Sequence, residues 1–319
     1  MSETGELRVA SANLQYGGFD ADASAARLGK TIAALGRLRP QVVLLQELTG
    51  LPPVPVDAPS WDMPLADRDR MTAESAARAH DAARRHLHHI AARLGLTPVL
   101  GPPVPGQWRR LHTAILVREE DGIAITGTGP PPMAVPGAEN PPWTQTTITI
   151  EDVPHPLVFY SLHLPARAAG LQLPHAQRLA NLIAQDGRHC HLAGDINGIP
   201  RTDRPDEDRL AAMNPHLRPA RMILDDGPLR PDYSVDDTFT GTGLVDIAAS
   251  LPPKSRVPAG LLPTGPAGSR VDRHYATAAL AEAAIGYRQL ITGGSDHHLT
   301  VTAYDRALLA LAVPSGPRD

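Results

Sequence analysis

Apolar residues recur along the chain with strand-like spacing in some segments and helix-like spacing in others, which predicts a mixture of strands and helices. Residues 7–13, LRVASAN, alternate apolar and polar positions, and residues 42–47, VVLLQE, form a short apolar run typical of a buried strand. Residues 22–39 repeat apolar side chains about one turn apart and stop before Pro40, which predicts a helix. Further helices are predicted at 72–94 and 173–187, and further strands at about 112–118, 144–150, 157–163 and 189–194.

The remaining segments are rich in proline and polar residues and are predicted to be loops that shape a pocket. They are 51–71, 101–111, 128–143 and 198–240, the last with one short helix near 205–213. The sequence has no internal repeat and no clear linker. Short strands mixed with scattered helices indicate one α+β or layered α/β domain over residues 1–319.

Several predicted strands end in polar residues that a protein core does not favour. These residues are Asn13, Glu47, His163, Asp195 with Asn197, Asp272, and Asp296 with His297. Binding and catalytic side chains concentrate on loops that rigid strands hold in place. We therefore expect these strand ends to converge on one cleft.

The residue types at these strand ends favour phosphate chemistry with a hard metal ion. Glu47, Asp195 and Asp296 offer oxygen ligands, which suit Mg²⁺ or Mn²⁺ better than zinc. Asn13 and Asn197 are neutral, so they can orient a phosphate or a water without repelling an anion.

Two histidines add the capacity to move protons near neutral pH, namely His163 and His297. Asp195 and Asn197 lie two residues apart, which places both side chains on one side of an extended segment. The same pair is also compatible with an Asx-type turn before Pro200.

Structural roles compete with these functional ones. Glu47 is also a plausible strand-end cap or ion-pair partner, and His163 a buried histidine satisfied by the backbone. Asp272 has Arg270 and Arg273 as alternative partners.

Composition narrows the class of protein. The chain has 319 residues, a formal net charge of −4 and a pI near 6.4, which disfavours dependence on non-specific nucleic-acid binding. Its single cysteine, Cys190, excludes an intramolecular disulfide and a thiolate metal cage, and we expect it in the core. The N-terminus lacks the pattern of a signal peptide and no stretch is long enough to span a bilayer, so we predict a cytoplasmic protein. No obligate protein partner is inferred from the sequence.

Six stretches of the sequence resemble the endonuclease/exonuclease/phosphatase superfamily, in the order in which that family carries them. They are VASANLQYGG, VVLLQEL, FYSLHLP, LAGDINGIP, SRVDRHYAT and GGSDHHLTV, and they extend from residue 9 to residue 301. The resemblance implies a four-layer α/β/β/α sandwich of two packed mixed sheets, with the active site at one end of the sheets.

The resemblance also implies roles for these residues. Glu47 would be the main ligand of a divalent cation, with Asn13 and Asp296 supporting the metal. His163 would contact the scissile phosphate. Asp195 would orient or deprotonate the attacking water.

The remaining roles that the resemblance implies concern phosphate and protons. Asn197 would bind a phosphate oxygen. His297 would stabilise developing charge or act as general base, with Asp272 fixing its tautomer. Gln15 departs from the family, because some members carry an Asp there, and a neutral amide weakens any second-metal site.

The resulting prediction is a hydrolase of phosphate esters that depends on Mg²⁺ or Mn²⁺, most simply a phosphodiesterase or nuclease-like enzyme. A phosphomonoesterase acting on a small-molecule, sugar or lipid phosphate is the first alternative. A catalytically silent binding module on the same fold is the second. SDHH also resembles the DHH phosphoesterases, but residues 1–45 hold only Asp20 and Asp22 toward the aspartate motifs of that family.

Overall fold

The structure is a computed structural model that describes residues 5–19, 26–50, 65–101, 111–120, 122–129, 143–166, 169–205, 207–225, 227–265, 268–314 and 316. The strands are β1 (Glu6–Asn13), β2 (Val42–Leu48), β3 (Thr97–Leu100), β4 (His112–Val117), β5 (Ile123–Gly129), β6 (Trp143–Ile150), β7 (Val153–His163), β8 (His189–Asp195), β9 (Met222–Ile223), β10 (Arg230–Pro231), β11 (Leu244–Asp246), β12 (Arg256–Val257), β13 (Asp272–Thr277), β14 (Ala284–Leu290) and β15 (Leu299–Asp305). The helices are α1 (Ala26–Leu38), α2 (Leu65–Leu94), α3 (Ala169–Asp186), α4 (Glu207–Ala212), α5 (Ser234–Gly241), α6 (Ile247–Ser250), α7 (Ala278–Glu282) and α8 (Arg306–Leu311).

Two mixed sheets form the centre of the molecule. The first has seven strands in the order β12-β14-β15-β1-β2-β4-β3, and the second has six in the order β11-β13-β8-β7-β6-β5. In the first sheet β1 runs parallel to β2 and antiparallel to β15. In the second sheet β8 runs parallel to β7 and antiparallel to β13. The two strands that carry Asn13 and Asp195 are therefore central in their sheets.

Three hydrophobic clusters define four layers. One cluster fills the space between the sheets and includes Val9, Leu44 and Phe159. A second packs α1 and α2 against the outer face of the first sheet, and a third packs α3 and α5 against the outer face of the second. The chain thus folds as the predicted α/β/β/α sandwich.

The elements predicted from the sequence are present, with shifted ends. The helix predicted at 72–94 begins earlier, at Leu65, and the helix predicted at 173–187 begins at Ala169. Cys190 is fully buried on β8, as expected.

Segment 198–240 holds more structure than the one short helix predicted for it. Besides α4 it contains a 3-10 helix at Pro215–Ala220, the β9–β10 hairpin and α5. A small core of Ile199, Leu210, Met213 and Met222 lies beneath it. The predicted loops 51–71, 101–111 and 128–143 fall largely outside the described residues.

Among the described residues, no helix is both long enough and apolar enough to cross a bilayer.

Candidate active site

Strand periodicity places four polar side chains at one end of the space between the sheets. On β1 the residues that face the second sheet are Leu7, Val9 and Ser11, and Asn13 follows them with the same parity. On β7, β8 and β13 the inward positions likewise lead to His163, Asp195 and Asp272. Because side chains alternate across a strand, these residues share the inner face.

The second sheet sets three of these residues in a row. Asp195 is the register partner of His163 on β7 and of Asp272 on β13. The pairing of these three adjacent strands thus brings two carboxylates and an imidazole together at one end of the sheet.

Glu47 reaches the site through a bulge in β2. By alternation it would share the helix-facing side of Val43 and Leu45. The β2–β4 register shifts between Leu45 and Leu48, and Glu47 has a left-handed backbone with φ of 54°. A bulge of this kind redirects side chains and is common beside active sites.

Asn13 links the carboxylates that come from the two sheets. Its Nδ2 donates to Glu47 Oε1 at 3.2 Å and to Asp195 Oδ2 at 3.1 Å. Its Oδ1 accepts the backbone N–H of Gln15 at 2.9 Å. Since ionised carboxylates only accept and a backbone N–H only donates, the carboxamide has one possible orientation. In this arrangement its oxygen faces Gln15, so Asn13 contributes a donor to the carboxylates, and its sequence-based assignment as a metal ligand stays a prediction.

Asp195 lies between the two imidazoles of the site. Its Oδ2 is 3.8 Å from His163 Nε2 and also 3.8 Å from His297 Nε2, and His163 Nε2 is 3.8 Å from Glu47 Oε1. These separations exceed hydrogen-bond length, so the groups in each of these three pairs are close neighbours that do not bond one another directly. The Asp195 carboxylate is 2% exposed, so its charge is poorly screened by solvent.

His297 and Asp272 form a hydrogen-bonded pair. His297 Nδ1 lies 2.9 Å from Asp272 Oδ2, so the proton on Nδ1 is donated to the carboxylate and Nε2 faces Asp195. Burial alone would lower the pKa of His297, but the neighbouring carboxylates, Asp272 foremost, raise it to about 10. Arg270 and Arg273, the alternative partners of Asp272, instead bond Asp246 and Asp236.

Asn197 reaches the site by a turn, and the extended geometry expected for Asp195–Asn197 is wrong. Asn197 has a left-handed backbone with φ of 53°, and its N–H donates to Asp195 Oδ1 at 3.0 Å. This is the Asx-type turn considered as the alternative. The Asn197 side chain donates to the backbone carbonyl of Leu164 at 2.9 Å and accepts from Arg221 Nη2 at 2.7 Å.

Asp296 lies at the rim of the site. Its carboxylate is 39% exposed and its Oδ1 is 4.0 Å from His297 Nε2. Its backbone N–H donates to Gln15 Oε1 at 3.3 Å, and Arg27 also donates to that oxygen. Burial, with a contribution from Glu47, raises the pKa of Asp296 despite the opposing charge of His297. Gln15 therefore acts as a neutral acceptor that ties together β1, α1 and the loop before β15.

The donor set fits a divalent cation. Among the described residues, Glu47, His163 and Asp195 offer ligand atoms within 4.8 Å of one another, and so do Asp195, Asp272 and His297. In the first group, the carboxylate of Glu47 accepts hydrogen bonds from the side-chain amide of Asn13 and from the backbone N–H of Tyr16. Since Asp272 and His297 already bond each other, the first group is the better fit to a hard cation.

Polar residues that the sequence did not single out support the site. Gln46 Nε2 donates to Ser161 Oγ at 3.0 Å, and Gln46 Oε1 accepts from Ser11 Oγ at 3.3 Å. This buried link joins the two sheets directly beneath Asn13 and Glu47. Gln46 is a polar residue within the apolar run VVLLQE, and this was the feature of the sequence that could have identified it.

Comparison with known proteins identifies the fold. No family model and no curated protein sequence matches this chain. Among solved structures, an AP endonuclease from Archaeoglobus fulgidus is 18% identical, with a TM-score of 0.55, over 94% of this chain and 99% of its own. An endonuclease/exonuclease/phosphatase from Bacteroides vulgatus is 11% identical, with a TM-score of 0.60, over 94% and 98%. A humanized TDP2 from D. rerio is 14% identical, with a TM-score of 0.53, over 94% and 99%.

Each of these three structures aligns along nearly its whole length with a TM-score above 0.5. The chain has the fold of the endonuclease/exonuclease/phosphatase superfamily.

Proposed function

We propose that this chain is a divalent-metal-dependent hydrolase of phosphate esters, in the first instance a phosphodiesterase or nuclease-like enzyme. One observation carries the proposal. Asp195 stands 3.8 Å from the Nε2 atoms of both His163 and His297 and is linked through Asn13 to Glu47. Carboxylates from two sheets and two imidazoles at one point suit metal-assisted attack on phosphorus.

Glu47 and Asp195 would hold the cation, with His163 adjacent to both. Mg²⁺ or Mn²⁺ fits this set best, because carboxylate oxygens dominate it. When bound, the cation would neutralise charge that develops on the phosphoryl oxygens. Asp296 is near enough to Glu47 to influence the same region.

Other residues would orient the attacking water, handle the proton and bind the phosphoryl group. Asp195 would orient the attacking water, and His297, held by Asp272 through Nδ1, would present Nε2 toward the same place. Asn197 would donate to a phosphoryl oxygen without adding negative charge.

The similar structures support phosphate-ester substrates as a class. One is an AP endonuclease and another is a TDP2. The net charge of −4 favours short or small phosphorylated substrates over affinity for long duplex DNA. We therefore propose a nucleic-acid end, a damaged site or a small phosphodiester as the substrate, in the cytoplasm predicted from the sequence.

Hydrolysis of bis-p-nitrophenyl phosphate tests the proposal. The reaction is run with Mg²⁺, with Mn²⁺ and with EDTA, beside p-nitrophenyl phosphate as the monoester. We expect turnover of the diester that EDTA abolishes and added metal restores. Turnover that survives chelation would contradict the metal mechanism.

The two alternatives give different outcomes in the same assay. Faster release from the monoester would indicate the phosphomonoesterase. No turnover of either compound, or of plasmid DNA, short RNA, sugar phosphates and phospholipids, with either metal would indicate the silent binding module.

A further inference from the structure

A buried arginine outside the predicted site contacts one of its residues. Arg221, which precedes β9, is 3% exposed. Its Nε donates to the backbone carbonyl of Asn197 at 3.1 Å and its Nη2 donates to Asn197 Oδ1 at 2.7 Å. The guanidinium thus binds the main chain and the side chain of the same residue with two donors.

These contacts permit a single orientation of the Asn197 carboxamide. A guanidinium only donates, so the atom it contacts must be the carboxamide oxygen. The backbone carbonyl of Leu164 only accepts, so the atom 2.9 Å from it must be Nδ2. An amide has two hydrogens on nitrogen, and the Leu164 contact uses one of them. The second is left to donate to another acceptor.

Asn197 needs support from its surroundings. Its left-handed φ of 53° is less costly for asparagine than for most other residues with a side chain, and hydrogen bonds to its main chain help to hold it. Besides Arg221, Gln172 Nε2 donates to the Asn197 carbonyl at 3.2 Å. Arg221 is the one of these two that also contacts the Asn197 side chain.

Arg221 is buried close to the carboxylates of the candidate site. Its Nη1 is buried and has no hydrogen-bond partner within the described part of the chain. Burial lowers the pKa of Arg221, and the carboxylates of Asp195 and Asp272 oppose that effect. The guanidinium of Arg221 is therefore close enough to interact with the carboxylates of Asp195 and Asp272, although it is buried.

We propose that Arg221 is a positioning residue that acts through Asn197, by holding the carboxamide so that it offers a hydrogen and not an oxygen to an anionic substrate. The inference rests on the proposed phosphoesterase function. Without Arg221 the Leu164 carbonyl alone would hold the carboxamide, so its orientation would be less firmly fixed, and any flipped population would turn its oxygen toward a phosphoryl oxygen. The loss would appear in kcat more than in KM, because negative charge on those oxygens grows toward the transition state.

A double-mutant cycle tests the proposal. The variants are R221M, N197A and N197A/R221M, assayed on bis-p-nitrophenyl phosphate with the metal that activates the wild type. We expect kcat to fall about tenfold to a hundredfold in R221M, with KM changed less than about threefold. Because Arg221 acts only through Asn197, the double variant should match N197A within about twofold. Losses that multiply would overturn the proposal, as would wild-type kcat in R221M.

R218M is the matched control. Arg218 lies in the same segment, 198–240, and among the described residues its side chain donates to the nearby backbone carbonyls of Met213 and Ala211. We expect R218M to retain kcat within about twofold. R221K keeps the charge but cannot supply the paired donors of a guanidinium, so an intermediate kcat is expected. If R221M does not fold, the same cycle is run with R221K, and full activity of R221K would then overturn the proposal.

A second measurement does not depend on turnover. The side-chain amide signals of Asn197 in a ¹H–¹⁵N correlation spectrum, assigned by their loss in N197A, should shift or broaden in R221M and stay in place in R218M. Unchanged signals in R221M would overturn the proposal. If the wild type hydrolyses no phosphate ester, the proposed function fails, while this spectrum still decides whether Arg221 fixes Asn197.

Discussion

Asp195 is the residue at which most contacts of the site meet. One carboxylate oxygen accepts from Asn13 and faces both imidazoles, and the other accepts the N–H of Asn197. A single buried side chain therefore connects the proposed metal ligands, the proposed proton-transfer pair and the proposed phosphate-binding amide. Removing it would disconnect groups that each remain in place.

Replacement of Asp195 or His297 by Ala should abolish turnover and leave the fold intact. Each change removes a group that the reaction requires, and we expect kcat to fall on the order of 10³-fold or more. Diester hydrolysis measures the loss, and far-UV circular dichroism with a urea unfolding curve measures the fold. Wild-type rates in either variant would remove that residue from the mechanism.

E47Q should raise the metal concentration needed for activity. The amide keeps the size of the side chain but removes the charge that attracts a cation, so we expect half-saturation to move by about tenfold or more. A titration of initial rate against Mn²⁺ and Mg²⁺ measures the shift. E151Q is the control, because Glu151 is exposed in the β6–β7 turn. An unchanged titration for E47Q would assign the ligand role elsewhere.

At the scale of elements, β8 can carry Asp195 into the site only because Gly194 precedes it. A Cβ at Gly194 would lie 1.9 Å from the backbone carbonyl oxygen of Leu162 on β7, and the glycine has φ of 151°. The two parallel strands approach closely at this point, directly before the row of His163, Asp195 and Asp272. The glycine in LAGDIN thus serves strand packing.

G194A should destabilise the protein by about 2 kcal/mol or more, because backbone atoms would have to move to admit the methyl group. Urea unfolding measures the change. G286A is the matched control, since a Cβ at that strand glycine would meet ordinary contacts at 3.7 and 3.9 Å. We expect G286A to change the free energy of unfolding by less than about 1 kcal/mol. Equal effects of the two changes would contradict the role given to Gly194.

Strand parity explains how much of the site the sequence could predict. Asn13, His163 and Asp195 continue the inward positions of their strands, so an apolar alternation that ends in a polar residue was enough to find them. Parity would have assigned Glu47 to the helix-facing side, and only the bulge in β2 corrects this. Bulges have no dependable sequence signal, so the residue was predicted and its route to the site was not.

Segment 198–240 was the part of the described chain whose structure the sequence predicted least well. Its helices and its hairpin are short, and they pack on a small core of their own. Arg221 has the same local sequence character as the exposed arginines around it, so its burial against Asn197 depends on contacts that no periodicity encodes. The pattern of strands and helices predicted one α+β or layered α/β domain, and the four-layer sandwich followed from the resemblance to the superfamily.

At the scale of the whole molecule, two neutral histidines lie between the sheets. His274 contacts Thr300 and Thr302 of the first sheet at 2.9 and 3.0 Å, and His191 contacts Tyr304 at 2.6 Å. Burial lowers the pKa of His274 to about 3 and that of His191 well below its ordinary value. The unfolded chain therefore binds protons below about pH 6.5 that the folded protein does not.

Stability should consequently fall as pH decreases through this range. Each such histidine removes about 1.4 kcal/mol per pH unit below about 6.5, and for His274 the loss continues to about pH 3. H274Q removes one titrating group, so the decrease in unfolding free energy between pH 7 and pH 5 should be about 2 kcal/mol smaller than in the wild type. Urea unfolding at several pH values measures it. An identical pH dependence for H274Q and the wild type would contradict the assignment.

The order of strands in the first sheet has a consequence for synthesis on the ribosome. Strand β1, which carries Asn13, is synthesised well before one of its two neighbours, β15, which ends at Asp305. Until β15 emerges, β1 has an open hydrogen-bonding edge, which is the kind of surface that chaperones shield and that aggregation exploits. A nascent chain thus completes the candidate active site only after β15 has been made.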